Sequence, residues 1–295
     1  MNLIRKNPMI MIVIGIIGIS LSSIFVKYSA APSAVTAAFR LLWTVLLMSP
    51  VTLGKKATRD EFRKLSRKNV LLSALSGFFL AVHFVTWFES LSHTTVASST
   101  TIVCTEVVWV SLGYCLFMKG RLSAKAVGVI AVTLIGSVMV ALSDSMEGSG
   151  QLYGDMLALL AAVAVGVYTL LGRVVRKEAS TTVYTYLVYV VCAAVLVVLS
   201  LAQGYDLFGF GLSAVIVGLL LAVFSTILGH SIFSWCLKYF SPSFVSASKL
   251  CEPVVAAALA MVLFQEMPVW LQVLGGVLII GGVMYYAHIE KAQES

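Results

Sequence analysis

The chain has 295 residues, 60% of them hydrophobic and 11% charged, with a mean hydropathy of +0.99. Soluble domains carry about 25% charged residues, so this composition excludes a soluble globular protein and implies an all-α integral membrane one. The formal net charge of +7 does not point to nucleic acid, because the basic residues sit in short segments between apolar runs. Cys104, Cys115, Cys192, Cys236 and Cys251 are odd in number, lie inside apolar runs and form no CxxC pair. They read as small buried side chains, with no disulfide, metal site or cofactor implied.

In chain order, apolar runs fall at 9–28, 34–53, 70–91, 95–118, 123–143, 152–173, 181–202, 212–237, 243–264 and 269–288, which predicts ten spanning helices. The first follows Arg5 and Lys6 as a signal peptide would, but it lacks a small-residue cleavage site and more spans follow, so it reads as a retained helix. Breaks are marked by Ala31-Pro32, Gly148–Gly150, Gly204–Gly211, Ser241-Pro242 and Met267-Pro268. The polar segment 54–69 reads as a short helix at the membrane surface.

Lys and Arg set the orientation. With the N-terminus inside, one side of the membrane holds Arg5, Lys6, seven basic residues from Lys55 to Lys68, Lys119, Arg121, Lys125, Arg173, Arg176, Lys177, Lys238 and Lys291. That is seventeen basic residues, and the loops on the other side hold none. Both termini are therefore expected in the cytoplasm of a plasma-membrane protein.

A shift of 146 positions lays Thr95 on Ser241, Glu106 on Glu252, Val108 on Val254, Phe117 on Leu263 and Gly136 on Gly282. The match predicts two five-helix repeats, 5–148 and 149–290. Five helices is an odd number, so the halves insert in opposite senses. Inverted repeats of this kind commonly place a substrate site near the midplane, where the halves meet.

Charge inside the spans marks the candidate site, since a buried ion in a bilayer is costly. Glu106 has no cation on its own helix and must find a partner elsewhere, hold a proton or sit in water; it is the candidate for proton coupling. Lys249 and Glu252 share a helix face, either as a locked charge pair or as a polar centre for substrate. Pro253 removes a helix hydrogen bond to Lys249 and predicts a kink. Arg40 is either paired or substrate-facing, while Lys27 lies near enough to the outer surface to snorkel. His83 and His230 sit at matching depths and read as hydrogen-bonded structural residues or as site residues. Trp87, Phe88, Trp109, Tyr168, Phe233 and Trp235 are candidates for a pocket wall, and equally for packing. Gly128, Gly136, Gly275, Gly276, Gly281 and Gly282 read as points of close helix approach.

The runs WFESLSHTTVASSTTIV (Trp87–Val103) and SPSFVSASKLCEPVVAAALAMVLFQE (Ser241–Glu266), followed by LGGVLIIGGVMY, resemble the two halves of EamA-type proteins of the drug/metabolite transporter superfamily. The second half keeps the Glu-Pro, helix, Glu pattern as Glu252-Pro253 and Glu266. In the first, Val107 stands where the family has Pro and Gly120 where a Glu is common. The resemblance implies ten helices, a pathway lined by spans one to four and six to nine, spans five and ten as outer supports, and export of metabolites, often amino acids, without ATP. A secondary exporter or exchanger of small polar metabolites is the resulting expectation, its partners being the substrate, membrane lipids and in one reading protons. The alternative is efflux of amphipathic drugs or cations. An intramembrane enzyme built on Ser98, Ser99 and His83 finds no supporting motif.

Overall fold

The computed structural model describes residues 8–94, 96–144, 152–255, 258–259 and 269–294. All of its regular structure is helical. The helices are α1 (Pro8–Ser20), α2 (Ser22–Lys27), α3 (Ser33–Gly54), α4 (Lys56–Lys64), α5 (Arg67–His93), α6 (Val96–Cys104), α7 (Glu106–Met118), α8 (Ala124–Asp144), α9 (Leu152–Val175), α10 (Thr181–Ala202) and α11 (Gly211–Leu220). A π-helical segment, Leu221–His230, joins α11 to α12 (Ser231–Cys236). The last elements are α13 (Pro242–Ser248), a 3-10 turn Lys249–Cys251, and α14 (Trp270–Glu294).

Seven stretches are long and apolar enough to cross a bilayer: Pro8–Lys27, Ser33–Gly54, Arg67–His93, Ser99–Met118, Leu152–Val175, Thr181–Ala202 and Gly211–Cys236. Ala124–Met139 and Val273–Ile289 are shorter apolar helices. The ninth expected span, 243–264, is continuous only to Val255 within the described residues. Glu266 lies outside them, as do Arg5, Lys6 and the side chain of Lys291. The chain is thus a multi-pass helical membrane protein, and α4 is the expected surface helix.

Local chemistry sets where the helices start. Ser66, Ser180 and Ser241 each precede a helix in extended backbone, and each side chain accepts the N–H of the residue three further on. Such caps satisfy one of the free donors of a first turn. Pro242 takes the first helical position, where its missing N–H costs nothing. Leu71, Phe117 and Trp270 lie bare on the outside, 69%, 83% and 74% exposed, as side chains facing lipid do.

Helix pairing brings the ends of the chain together. α5 packs on α9, α8 on α14, α10 on α3, α1 on the π segment, and α13 on α7. Glycine makes one of these crossings close: a Cβ on Gly136 would stand 2.8 Å from the carbonyl oxygen of Gly275. Gly128 and Gly281, expected to do the same, have open space where a Cβ would go; with Lys125 and Tyr285 they line a groove between α8 and α14. The two helices splay there, so neither glycine is a contact point.

At the cytoplasmic end expected from the charge count, Glu61 of α4 accepts the backbone N–H of Ser180 at 2.6 Å, and Asn69 donates to Glu178 at 2.7 Å. Arg173 reaches the carbonyls of Leu237 and Phe240, and Arg176 those of Ser234 and Ala179. Burial among these groups pulls the pKa of Arg176 below the usual guanidinium value. Together these bonds tie the ends of α9, α10 and α12 into one polar cap.

Candidate functional site

Several helices are interrupted next to a residue the sequence singles out. The first span breaks at Leu21, between α1 and α2, one residue before Ser22. The fourth breaks at Thr105, directly before Glu106, although Val107 rather than Pro follows. The ninth tightens into a 3-10 turn at Lys249–Cys251, directly before Glu252-Pro253, in line with the break expected from Pro253. The eighth widens into the π segment that ends at His230. Irregular backbone at membrane depth is tolerated only against protein or a wet cavity, and π segments recur at functional sites.

These breaks surround one cavity. Among the described residues it is lined by Ile19 and Ser22 of the first span, Arg40 of α3, His83 and Trp87 of α5, Thr100, Val103 and Glu106 of the fourth span, Val165 of α9, His230 of the eighth, and Lys249 and Glu252 of the ninth. Seven of the eight expected pathway spans contribute. The seventh, α10, instead backs the wall from behind α3 and α5. The free space is ≈ 40 Å³ for water-sized occupants, enough for about three waters and well short of a typical ligand pocket. The site is narrow in this conformation.

The charges inside are not paired as the spacing suggests. Lys249 Nζ bonds Glu106 Oε1 at 2.9 Å, both side chains nearly inaccessible. The partner of Lys249 is therefore Glu106 on a facing helix, not Glu252 one turn along, and Glu106 is not the lone carboxylate that its own helix implied. Phe233 lies under the ammonium, its ring centre 5.3 Å away. The Glu252 carboxylate lines the cavity without a hydrogen-bond or ion-pair partner among the described residues; its backbone carbonyl accepts from Ser20 at 3.4 Å.

Arg40 is fully buried. Its Nε donates to Thr226 Oγ1 at 2.7 Å and its Nη1 to Ser22 Oγ at 3.3 Å, while Nη2 has no partner. The guanidinium lies 4.0 Å from the centre of the Phe84 ring and 6.0 Å from that of Phe88. Thr226 is positioned by the π segment, its hydroxyl donating to the Leu221 carbonyl five residues back at 3.3 Å.

The two histidines meet on one wall, ring centres 6.2 Å apart. His83 Nδ1 donates to the Ala161 carbonyl at 3.0 Å, which fixes its tautomer, and its ring stacks on Trp87. His230 Nδ1 is buried without a partner. Tyr168 sits one layer back, bonded to Ser234 at 2.8 Å and edge-on to His230. Trp109 and Trp235 do not line the cavity: Trp109 packs against α9 at Gly166, and Trp235 against Tyr239 at 4.3 Å. Lys27 is exposed at the end of α2. Ser99 is bonded to Ser90 at 2.6 Å rather than to His83, and the side chain of Ser98 lies outside the described residues. Thr226, Ser22, Thr100 and Phe84 carry no sequence signal that separates them from other hydroxyls and rings in apolar helices.

The profile of the EamA-like transporter family matches residues 152–287, and relatives described as uncharacterized transporters align with most of the chain. An uncharacterized transporter from Clostridium kluyveri is 24% identical over 87% of this chain and 86% of its own length. A second, the uncharacterized transporter YxxF from Bacillus subtilis, is 25% identical over 94% and 87%.

The second half of the chain, residues 152–287, resembles the EamA-like transporter family.

A third relative, an uncharacterized transporter from Archaeoglobus fulgidus, is 22% identical over 71% of this chain and 72% of its own length. A crystal structure superposes on this EamA-like protein with a TM-score of 0.78 over 98% of this chain and 99% of the other, at 16% identity, a likeness of fold. The three relatives are each described as a transporter.

Proposed function

We propose that this EamA-like protein is a secondary carrier, an exporter or exchanger of small polar metabolites, amino acids among them, that works by alternating access across the plasma membrane. The observation that carries the reading is the cavity with Arg40, Glu106, Lys249 and Glu252 on its wall. A helix bundle needing only stability is served at less cost by apolar side chains there. With Lys249 committed to Glu106, Arg40 and Glu252 remain as uncommitted charges of opposite sign, which suits a zwitterion better than an amphipathic cation.

Helix pairing supports the inverted repeat. Numbering the spans one to ten, the pairs are one with eight, two with seven, three with six, four with nine and five with ten. Exchanging the halves, by adding or subtracting five, turns this set of pairs into itself. A pseudo-two-fold axis between 5–148 and 149–290 has that property, and rocking about such an axis exposes a midplane site to each face in turn. The basic loops favour cytoplasmic termini. Glu252, without an ion-pair partner among the described residues, is the better candidate than Glu106 for carrying a proton or a substrate ammonium.

The test is the excreted-metabolite profile of cells overproducing the wild-type protein or Glu252→Gln, followed by counterflow of the enriched compound in proteoliposomes. Enrichment and counterflow with wild type alone support the reading. Counterflow that Glu252→Gln leaves untouched removes Glu252 from the site, and no counterflow of any enriched compound by the wild type overturns the carrier.

A further inference from the structure

Arg40 is the most deeply buried charge of the described residues, with 0% of its surface exposed, and no carboxylate stands within ion-pair distance of it. A guanidinium carries five N–H donors in one plane. Thr226 and Ser22 occupy Nε and Nη1, and Nη2 is left without a partner at the wall of the cavity. Burying such a group without an anion is unfavourable, and the ring of Phe84 compensates only part of the lost hydration. The two hydroxyls hold the guanidinium plane fixed, and one of them, Thr226, belongs to the π segment. What the arrangement lacks is an acceptor at Nη2.

We infer that Arg40 is the anion-binding residue of the cavity and that it receives a carboxylate of the transported molecule at Nη2. The inference rests on the carrier reading above for its biological meaning, but the binding can be read without transport. Three features narrow the class of ligand. A cation is repelled by Arg40. A dianion such as phosphate meets the carboxylates of Glu106 and Glu252 on the same wall. A single carboxylate, as a zwitterion carries beside its ammonium, meets Arg40 while leaving Glu252 for the cationic end, and planar carboxylates match a guanidinium edge.

Formate is the probe that fits this space, since its three heavy atoms need about the room of the three waters the cavity admits. The full-length protein in lipid nanodiscs is titrated with sodium formate and with sodium chloride at equal ionic strength, while thermal unfolding and tryptophan emission are followed. Formate is expected to raise the unfolding midpoint saturably by about 2–4 °C and to shift emission from Trp87, with neither effect from sodium chloride. Arg40→Met is expected to lose both responses, and Arg40→Lys to keep a response needing at least about tenfold more formate, because a single ammonium replaces the planar fork. A wild-type protein indifferent to formate, or equally responsive to sodium chloride, overturns the proposal without recourse to any variant and means that Arg40 holds only water. A formate response that survives in Arg40→Met overturns it as well. Neither failure touches the carrier reading, which stands on metabolite counterflow.

Discussion

Lys249 and Glu106 show what a single residue costs in this setting. Each is a charge at membrane depth, tolerable because the other stands 2.9 Å away. Removing one partner of a buried pair typically costs about 3–5 kcal/mol, since it strands the other charge. Glu106→Gln is therefore expected to lower the unfolding midpoint steeply in detergent, and Lys249→Met combined with Glu106→Met to recover most of it. A single variant as stable as the double one would show that the pair is not a stabilising unit. Glu252→Gln strands no ion-pair partner among the described residues, so it should unfold within a few degrees of wild type while losing flux; a large loss of stability would mean a structural role instead. The sequence makes these residues visible because an ionisable group in an apolar run stands out whatever its partner. Which partner it takes is not visible. Spacing along one helix offers only local neighbours, whereas Glu106 arrives from a helix 143 positions away in the chain. The aromatic residues fare worse for the same reason. Trp87 on the wall, Trp109 against α9 and Trp235 against Tyr239 look alike in an apolar run.

The interruptions of the helices are partly legible. Pro253 announces the 3-10 turn at Lys249–Cys251, but nothing of the kind announces the break at Thr105 or the π segment Leu221–His230. There the backbone departs from regular geometry because neighbouring helices and hydroxyl side chains satisfy it: Thr226 donates five residues back, and the Thr105 hydroxyl donates to Ile102 at 2.6 Å. Tertiary surroundings of that sort leave no local mark in sequence. Glycines divide along the same line. Gly136 and Gly128 sit on one helix, yet only at Gly136 does a neighbouring backbone approach. Gly136→Ala should therefore destabilise by about 1–3 kcal/mol, as overpacking does. Gly128→Ala should be neutral or stabilise by about 0.4–1 kcal/mol, by restricting the unfolded chain. Unfolding of the two variants side by side checks the contrast, and equal effects would mean that α8 and α14 do not cross as described.

On the scale of the whole molecule, the number and placement of apolar runs could be read from composition because the bilayer demands length and apolarity of every span. Seven runs meet that demand as long helices and two as shorter ones. Orientation is a matter of loop charge, and it predicts that Lys64→Cys in a background without the native cysteines resists membrane-impermeant thiol reagents in intact cells while Asp206→Cys reacts; the reverse pattern would turn the protein over. The cavity was not readable, since it is made by seven spans that meet only after folding. Alternating access makes one demand on it. A residue of its wall must meet water from each face of the membrane, never from both at once. Thr100→Cys, on the wall and remote from the ion pair's own atoms, reports this directly in right-side-out and inside-out vesicles treated with an impermeant thiol reagent. The carrier account predicts labelling from either face, with reagent small enough to enter, and no leak of that reagent across the vesicle wall. Labelling from neither face, or free passage of the reagent through the protein, would contradict it.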